Sequence, residues 1–423
     1  METLTLVVIG GAILGFGLVS RKIERSFLSA PIVFVSVGWA ASELGVLHFE
    51  LGGEAIHLLA ELTLVLVLFT DAARIDVGLL RREHNLPLRM LGIGLPLTVL
   101  LGTLGAAWIF PSFTYWQAAL LAAVLAPTDA ALGQAVVSSP KVPVRMRQTL
   151  NVESGLNDGI ALPLVLLFLS ACSAHVEGAG GAEYWLRFAA LQLTLGPLVG
   201  VVVGWLGGEA VRWCRARGWI STPFLRLSTL GLALVAFAGA EIVHGNGFIA
   251  AFVGGLTLGN RCTGLWHSLE EFAEAEGQFF TLMVFLVFGA TTVPEYLPYV
   301  DFAAVVYGLL SLTLIRMVPV SLSLLGTGLR PASHLFLGWF GPRGIASILF
   351  GLLVVESSIL EPRSEIFAVI TVTVLMSVVA HGATAWSGAL WYAKHAESFD
   401  LDEAEAVDVE EMPVRLSRPP TSD

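Results

Sequence analysis

Charge is scarce in this sequence. Lys, Arg, Asp and Glu supply 13% of the 423 residues, about half the ~25% of an ordinary soluble domain, which excludes a soluble enzyme with a solvated surface. Cysteine is nearly absent: Cys172, Cys214 and Cys262 are too few and too scattered for a disulfide framework or a tetrahedral zinc site, and all three read as buried thiols. No basic face of the kind that holds nucleic acid exists. The net charge of −11 is local, because nine acids and two bases from Glu397 onward carry −7 of it and leave −4 for the first 396 residues. A basic stretch ahead of the first apolar run is also missing. Only Glu2 precedes that run, which is expected to be a retained helix rather than a cleaved leader.

Apolar side chains are plentiful, at 55% of the chain with a mean hydropathy of +0.78. Apolar runs of about 20 residues, the length that spans hydrocarbon, suggest thirteen helices at 3–20, 28–45, 55–73, 87–110, 115–137, 146–171, 184–210, 222–244, 247–260, 273–291, 301–325, 333–355 and 364–392. The fold class expected is therefore an all-α polytopic membrane protein, with a transmembrane region over 1–395 and an acidic, disordered cytoplasmic tail over 396–423. Basic residues set the orientation. Nineteen of the 23 fall after odd-numbered spans or in the tail, only Arg187 and Arg363 lie on the opposite side, and Arg316 and Arg343 lie inside spans. The N-terminus is accordingly expected outside and the C-terminus in the cytoplasm. The eleven tryptophans mostly fall near span ends and read as anchors at the bilayer interface.

An ionisable group at bilayer depth costs at least ~2.5–3.5 kcal/mol on insertion scales, so each one inside a span is a functional candidate. They are Asp71 in LVLFTDAAR, Asp129 in VLAPTDAALG, Glu153 and Asp158 in NVESGLNDGIALP, Glu61, Glu241, Arg316, and Arg343 in WFGPRGIASILF. In span six Glu153 with Asn157 and Ser154 with Asp158 form two i,i+4 pairs, so Ser154 and Asp158 share one stripe of the helix while Glu153 points about 100° away. Two acids aimed at different neighbours suggest different tasks, one a structural ion pair and the other a site that exchanges its counter-ion.

Pro127 breaks span five beside Thr128 and Asp129, and Gly341-Pro342-Arg343-Gly344 breaks span twelve. Unwound backbone at membrane depth is tolerated only where it lines a protein-buried or watery cavity. Spans one to six and eight to thirteen flank span seven as two six-helix halves of opposite direction. Spans five and twelve then correspond as the crossed broken helices of an inverted repeat, the usual seat of a transporter's site. An Asp in one break and an Arg in the other could neutralise opposite half-helix ends.

APTD at 126–129, ESGLND at 153–158 and GPRG at 341–344 resemble the motifs of monovalent cation:proton antiporters of the NhaP/NHE type, the sodium/proton exchangers, over about residues 1–392. The resemblance implies an antiporter, not an enzyme, in a bacterial-type inner (plasma) membrane, exchanging Na⁺ or Li⁺ for H⁺. It implies a homodimer, with the lipid bilayer, monovalent cations and protons as partners, no nucleic acid and no cofactor. Matched motif by motif, it makes Asp158 the carrier of cation and proton, with Ser154 and Thr128 supplying oxygens, Asp129 assisting directly or through water, and Asn157 stabilising the crossing. Glu153 is implied to pair with a base, Arg343 first and Arg316 one span earlier as the other choice. Asp71 is a weaker match, at an access path or behind the site. Pro342 departs from the family's more usual Gly-Leu-Arg-Gly and sharpens the break. Asn at 157 in place of a second Asp implies one proton per cation and electroneutral turnover.

Other readings compete. K⁺ in place of Na⁺ keeps the superfamily. A passive channel also uses broken helices. An intramembrane aspartyl protease leaves the arginines unexplained, and a rhomboid-like serine protease lacks a His at depth for Ser154. Glu61, Glu241 beside His244, and the histidines at 48, 57, 84, 175, 267, 334, 381 and 395, most of them in loops or at span ends, read as solvated edge rather than site, and Pro163 as a kink.

Overall fold

The computed structural model describes residues 2–23, 28–47, 53–83, 85–129, 132–177, 182–261, 263–356, 363–397 and 404–405. Among these residues every regular element is helical. In chain order the helices are α1 (Glu2–Ile23), α2 (Ala30–Glu43), α3 (Glu54–Ala73), α4 (Val77–Glu83), α5 (Asn85–Arg89), α6 (Leu95–Ile109), α7 (Tyr115–Val124), α8 (Gln134–Val137), α9 (Val144–Glu177), α10 (Ala182–Ala216), α11 (Thr222–Ile242), α12 (Gly247–Arg261), α13 (Thr263–Ala290), α14 (Thr292–Tyr296), α15 (Phe302–Leu312), α16 (Leu314–Ser323), α17 (Pro331–Trp339), α18 (Ile345–Glu356) and α19 (Arg363–Ala396). A π-helical turn, Met90–Gly94, joins α5 to α6.

Hydrocarbon leaves the backbone no partners but its own, so apolar stretches become helices. Prolines at the first turns of α2, α11 and α17 start them where the missing N–H is harmless. Gly45 and Gly218, with φ of 66° and 67°, turn the chain just past α2 and α10. Nine of the described helical stretches are long and apolar enough to cross a membrane, which makes this a multi-pass membrane protein. The other four expected spans hold the shorter helices α2, α7, α12 and α18. Span eleven differs from a single helix, because Thr313 (φ −113°, ψ −96°) interrupts it between α15 and α16.

By contacts the chain forms two compact units. The first comprises Met1–Ala60, Asn85–Ser154 and Thr281–Asp423. Within it Gly38 of α2 lies on the Leu286 carbonyl and Gly289 of α13 on the Val35 carbonyl, a reciprocal contact that no Cβ would allow. Its core includes Met90, Val137, Met146, Leu150, Phe336, Phe340 and Tyr392. The second unit comprises Glu61–His84 and Gly155–Phe280. Gly196, Gly200 and Gly204 bring α10 onto the backbone of α12 at Asn246, Ala250 and Gly254, and Gly255 and Gly259 seat α12 on the Phe69 and Ala73 carbonyls of α3.

Two expectations are corrected at this level. The tail is not a solvated end at Ala404 and Glu405. Glu405 is buried, its Oε1 accepting the Arg330 amide and the Ser333 hydroxyl, each at 2.6 Å, and the Ala404 carbonyl accepts from Arg145. A carboxylate at the N-terminus of α17 meets amides that the helix cannot satisfy itself, which outweighs its hydration. His381 is no solvated edge; it lies within α19 and is fully buried. The remaining tail residues 398–403 and 406–423, with Cys262, His48 and His84, lie outside the described residues.

Candidate functional site

The site begins with a helix that stops early. Thr114 caps α7, its hydroxyl accepting the Gln117 amide while Gln117 Oε1 takes the Thr114 amide. Helical geometry ends after Val124, because Pro127 has no N–H and disfavours helix before it. Residues 125–129 are nonetheless buried, so their backbone groups need partners from elsewhere. The partners are specific. Arg343 Nη1 donates to the Ala126 and Pro127 carbonyls at 2.7 and 3.2 Å, and Ser154 Oγ donates to the Thr128 carbonyl at 2.7 Å. The Asp129 amide donates to the Pro342 carbonyl at 2.8 Å.

The opposite break mirrors this. After α17 ends at Trp339, residues 340–344 run without helix into α18. Asp129 Oδ2 accepts the Ile345 amide at 2.9 Å, so the acid rests on the N-terminus of α18. Arg343 meanwhile rests on the carbonyl end of α7. Each charge therefore sits on the half-helix end of opposite partial sign. The glycines of GPRG each leave room for one side chain. A Cβ on Gly344 would strike the Asp129 carboxylate, and one on Gly341 would lie 2.8 Å from the Arg316 guanidinium carbon.

Arg316, on α16, corrects the first expectation for Glu153. It binds Glu153 of α9 through two contacts, Nη1–Oε1 at 2.6 Å and Nη2–Oε2 at 2.7 Å. Arg343 instead directs its Nη1 to the span-five carbonyls. Two buried arginines and two buried acids thus occur together in the first unit, a balanced set that costs far less than any member alone. A cavity of about 10 Å³ opens beside them, lined by Thr128, Asp129, Gly133, Val137, Leu150, Ser154, Phe340 and Pro342. That is near the volume one water-sized sphere needs.

Asp158 belongs to the second unit and lies one helical turn beyond Ser154 on the same stripe of α9. Around it Gly155 lies against Ile75 and the Asp71 carbonyl, and Gly159 against the Phe252 ring. Asn157 is fully buried. Asp71 is 3.9 Å from Arg74, in the turn just past the end of its helix α3. Glu241 Oε1 accepts the Gly247 amide at 2.8 Å, at the turn that starts α12.

Several polar residues at these junctions went unread in the sequence. Asn260 donates to the Ile75 carbonyl and accepts the Val77 amide, both at 2.7 Å, which fastens the chain just past Asp71 to α12. Ser377 accepts the Arg343 amide at 2.6 Å. Ser377 and His381 form an i,i+4 polar pair in an apolar span, the same signal that singled out span six, and that spacing could have found them.

The profile described as "Sodium/hydrogen exchanger, transmembrane" matches residues 3–386. A Shewanella sp. (strain ANA-3) protein named K(+)/H(+) antiporter NhaP2 is 26% identical over 383 residues, 88% of this chain and 65% of its own. A protein named Na(+)/H(+) antiporter 2 from Zygosaccharomyces rouxii is 27% identical over 260 residues, 57% of this chain and 31% of its own. The chain thus spans about two thirds or less of the length of these relatives. Among solved structures, the sodium proton antiporter MjNhaP1 from Methanocaldococcus jannaschii at pH 8 superposes with a TM-score of 0.67 at 17% identity, covering 93% of this chain and 98% of that one. An electron-microscopy structure of the same protein gives 0.76 at 17% identity, over 95% and 99%. The likeness at 17% identity is one of fold. With the family profile running through nearly all of its helices, this chain belongs to the transmembrane sodium/hydrogen exchanger family.

Proposed function

We propose that this protein is a secondary antiporter that exchanges Na⁺ or Li⁺ for H⁺, with both ions competing for Asp158. A carboxylate in hydrocarbon is tolerable only when neutralised, and a proton or an alkali cation can do so. Ser154, one turn away on the same stripe, and Thr128, whose carbonyl holds the Ser154 hydroxyl at 2.7 Å, would supply further oxygens to a bound cation. Asp129 assists through the small cavity it lines. Asn157 and the Glu153–Arg316 pair hold the surroundings, and Asp71 serves the approach. If only the neutral, occupied forms cross between the two access states, exchange is obligatory and electroneutral.

One observation carries this reading. The Asp129 amide meets the Pro342 carbonyl at 2.8 Å where two broken helices cross, with an acid and a base on half-helix ends of opposite sign. Such crossings of interrupted helices are where secondary transporters seat their ions. The 19-to-2 distribution of basic residues supports an N-terminus outside, and a bacterial-type inner membrane and a homodimer are part of the same proposal.

K⁺ is the second reading, favoured by relatives named K(+)/H(+) antiporters. Purified protein in liposomes with an imposed pH gradient separates the two. Added Na⁺ or Li⁺ should collapse the gradient at clamped voltage; collapse by K⁺ alone would install the second reading, and no collapse by any of the three would overturn exchange.

A further inference from the structure

The crossing depends on a break in span twelve, and breaks close unless something holds them. In an uninterrupted helix the Arg343 amide would donate to the Trp339 carbonyl, four residues back. Here that bond is absent, and two fully buried side chains of α19 stand between its halves. The Arg343 amide donates to Ser377 Oγ at 2.6 Å. Ser377 Oγ lies 3.1 Å from His381 Nδ1, and His381 Nε2 lies 2.9 Å from the Trp339 carbonyl.

A carbonyl only accepts, so His381 Nε2 donates to Trp339, and the Ser377 hydroxyl oxygen receives the Arg343 N–H. His381 Nδ1 lies 3.1 Å from the Ser377 hydroxyl and 3.0 Å from the Ser377 carbonyl. The ring also rests on the Trp339 indole, centroids 4.9 Å apart, and that indole N–H donates to Thr384 Oγ1 at 3.0 Å. Both ends of the unwound segment are therefore tied to α19, in a span of mean hydropathy 2.1 where an unbonded polar group is costly.

We infer that Ser377 and His381 are positioning residues: together they replace the missing Arg343-to-Trp339 backbone bond with a side-chain bridge that keeps the break open at a set length. The bridge holds the Pro342 carbonyl and the Ile345 amide where Asp129 meets both. It also fixes the Arg343 backbone, from which the guanidinium reaches the Ala126 and Pro127 carbonyls. Its effect on transport rests on the exchange reading above; the bridge itself does not.

Two measurements on purified full-length protein test it. Amide hydrogen exchange at 340–345 reads the bridge without any transport. Ser377→Ala and His381→Ala should speed exchange at Arg343 and Ile345 about tenfold or more, as loss of a buried hydrogen bond implies, and Ser377→Thr, which keeps the hydroxyl, should restore slow exchange. In liposomes the two alanine variants should raise the cation KM roughly five- to tenfold with kcat within about twofold. Ser377→Thr should return KM to the wild-type value. His381→Gln, which keeps a donor for Trp339, is the variant to use should His381→Ala fail to fold, and a KM between the two extremes is expected for it. Unchanged protection at Arg343 in Ser377→Ala would overturn the bridge. Faster hydrogen exchange with an unchanged KM would keep the bridge and overturn its role in placing the site. Wild-type protein that moves no cation, yet shows the hydrogen-exchange pattern, would overturn the exchange reading alone.

Discussion

Arg316 and Glu153 meet through two contacts of 2.6 and 2.7 Å, with neither side chain more than 2% exposed. This pair settles the charge economy of the crossing. Because Arg316 neutralises Glu153, Arg343 is left to serve the carbonyl end of α7, and Asp129 the amide end of α18. The acids of α9 therefore divide by direction: Glu153 is committed to a base, and Asp158, about 140° away around the helix on the Ser154 stripe, lies outside that contact.

Removing either partner of the pair singly should destabilise the protein by about 3–5 kcal/mol, because it strands a buried charge. Glu153→Gln and Arg316→Met should each reduce folded protein in a thermal-unfolding assay in detergent, and the double variant should recover part of the loss. In a double-mutant cycle the coupling of Glu153 to Arg316 should exceed that to Arg343. Equal coupling to both arginines would contradict the pairing described.

Asp158→Asn should fold and should fail to dissipate an imposed pH gradient when Na⁺ or Li⁺ is added to everted vesicles. The amide keeps the shape and removes the charge that a proton or cation neutralises. Activity equal to wild type would take the ion from Asp158.

The GPRG glycines admit a steric prediction. Gly344→Ala places a methyl against the Asp129 carboxylate and Gly341→Ala one against Arg316, so each should cost about 1–3 kcal/mol and depress exchange. Gly231→Ala in α11, where nothing lies within 4 Å, should be neutral or stabilising by up to ~1 kcal/mol. Measuring melting temperatures of the three side by side decides it; indifference at Gly344 would remove the close approach of Asp129.

Glu405→Ala should lower stability by about 1 kcal/mol, the usual loss when a helix N-terminus gives up its acceptor, and leave cation preference unchanged. Deleting residues 398–423 should have the same small effect on melting and leave transport largely intact. Complete loss of exchange on deletion would show that the tail does more than cap α17.

Much of the site was legible because its signals are local. Pro127 and Pro342 mark the breaks by their missing N–H groups, and the i,i+4 spacing of Ser154 and Asp158 follows from helix geometry alone. Other features were not legible. Thr313 interrupts span eleven without a proline or glycine to announce it, and Asn260 reads as one polar residue at a span end until its two bonds to the chain past α3 are seen. His381 looked bland because a lone histidine carries no partner information; its meaning depends on Trp339, which is 42 residues away.

Sequence alone determined that this is an all-helical membrane protein and which two of its spans break at prolines, since hydrocarbon offers the backbone no alternative and prolines act on their own neighbours. Tertiary structure alone decided which base answers which acid and what closes each broken hydrogen bond. Glu153 and Arg316 are 163 residues apart, and a chain with two buried arginines and several buried acids admits more than one neutral pairing until packing brings particular atoms within reach.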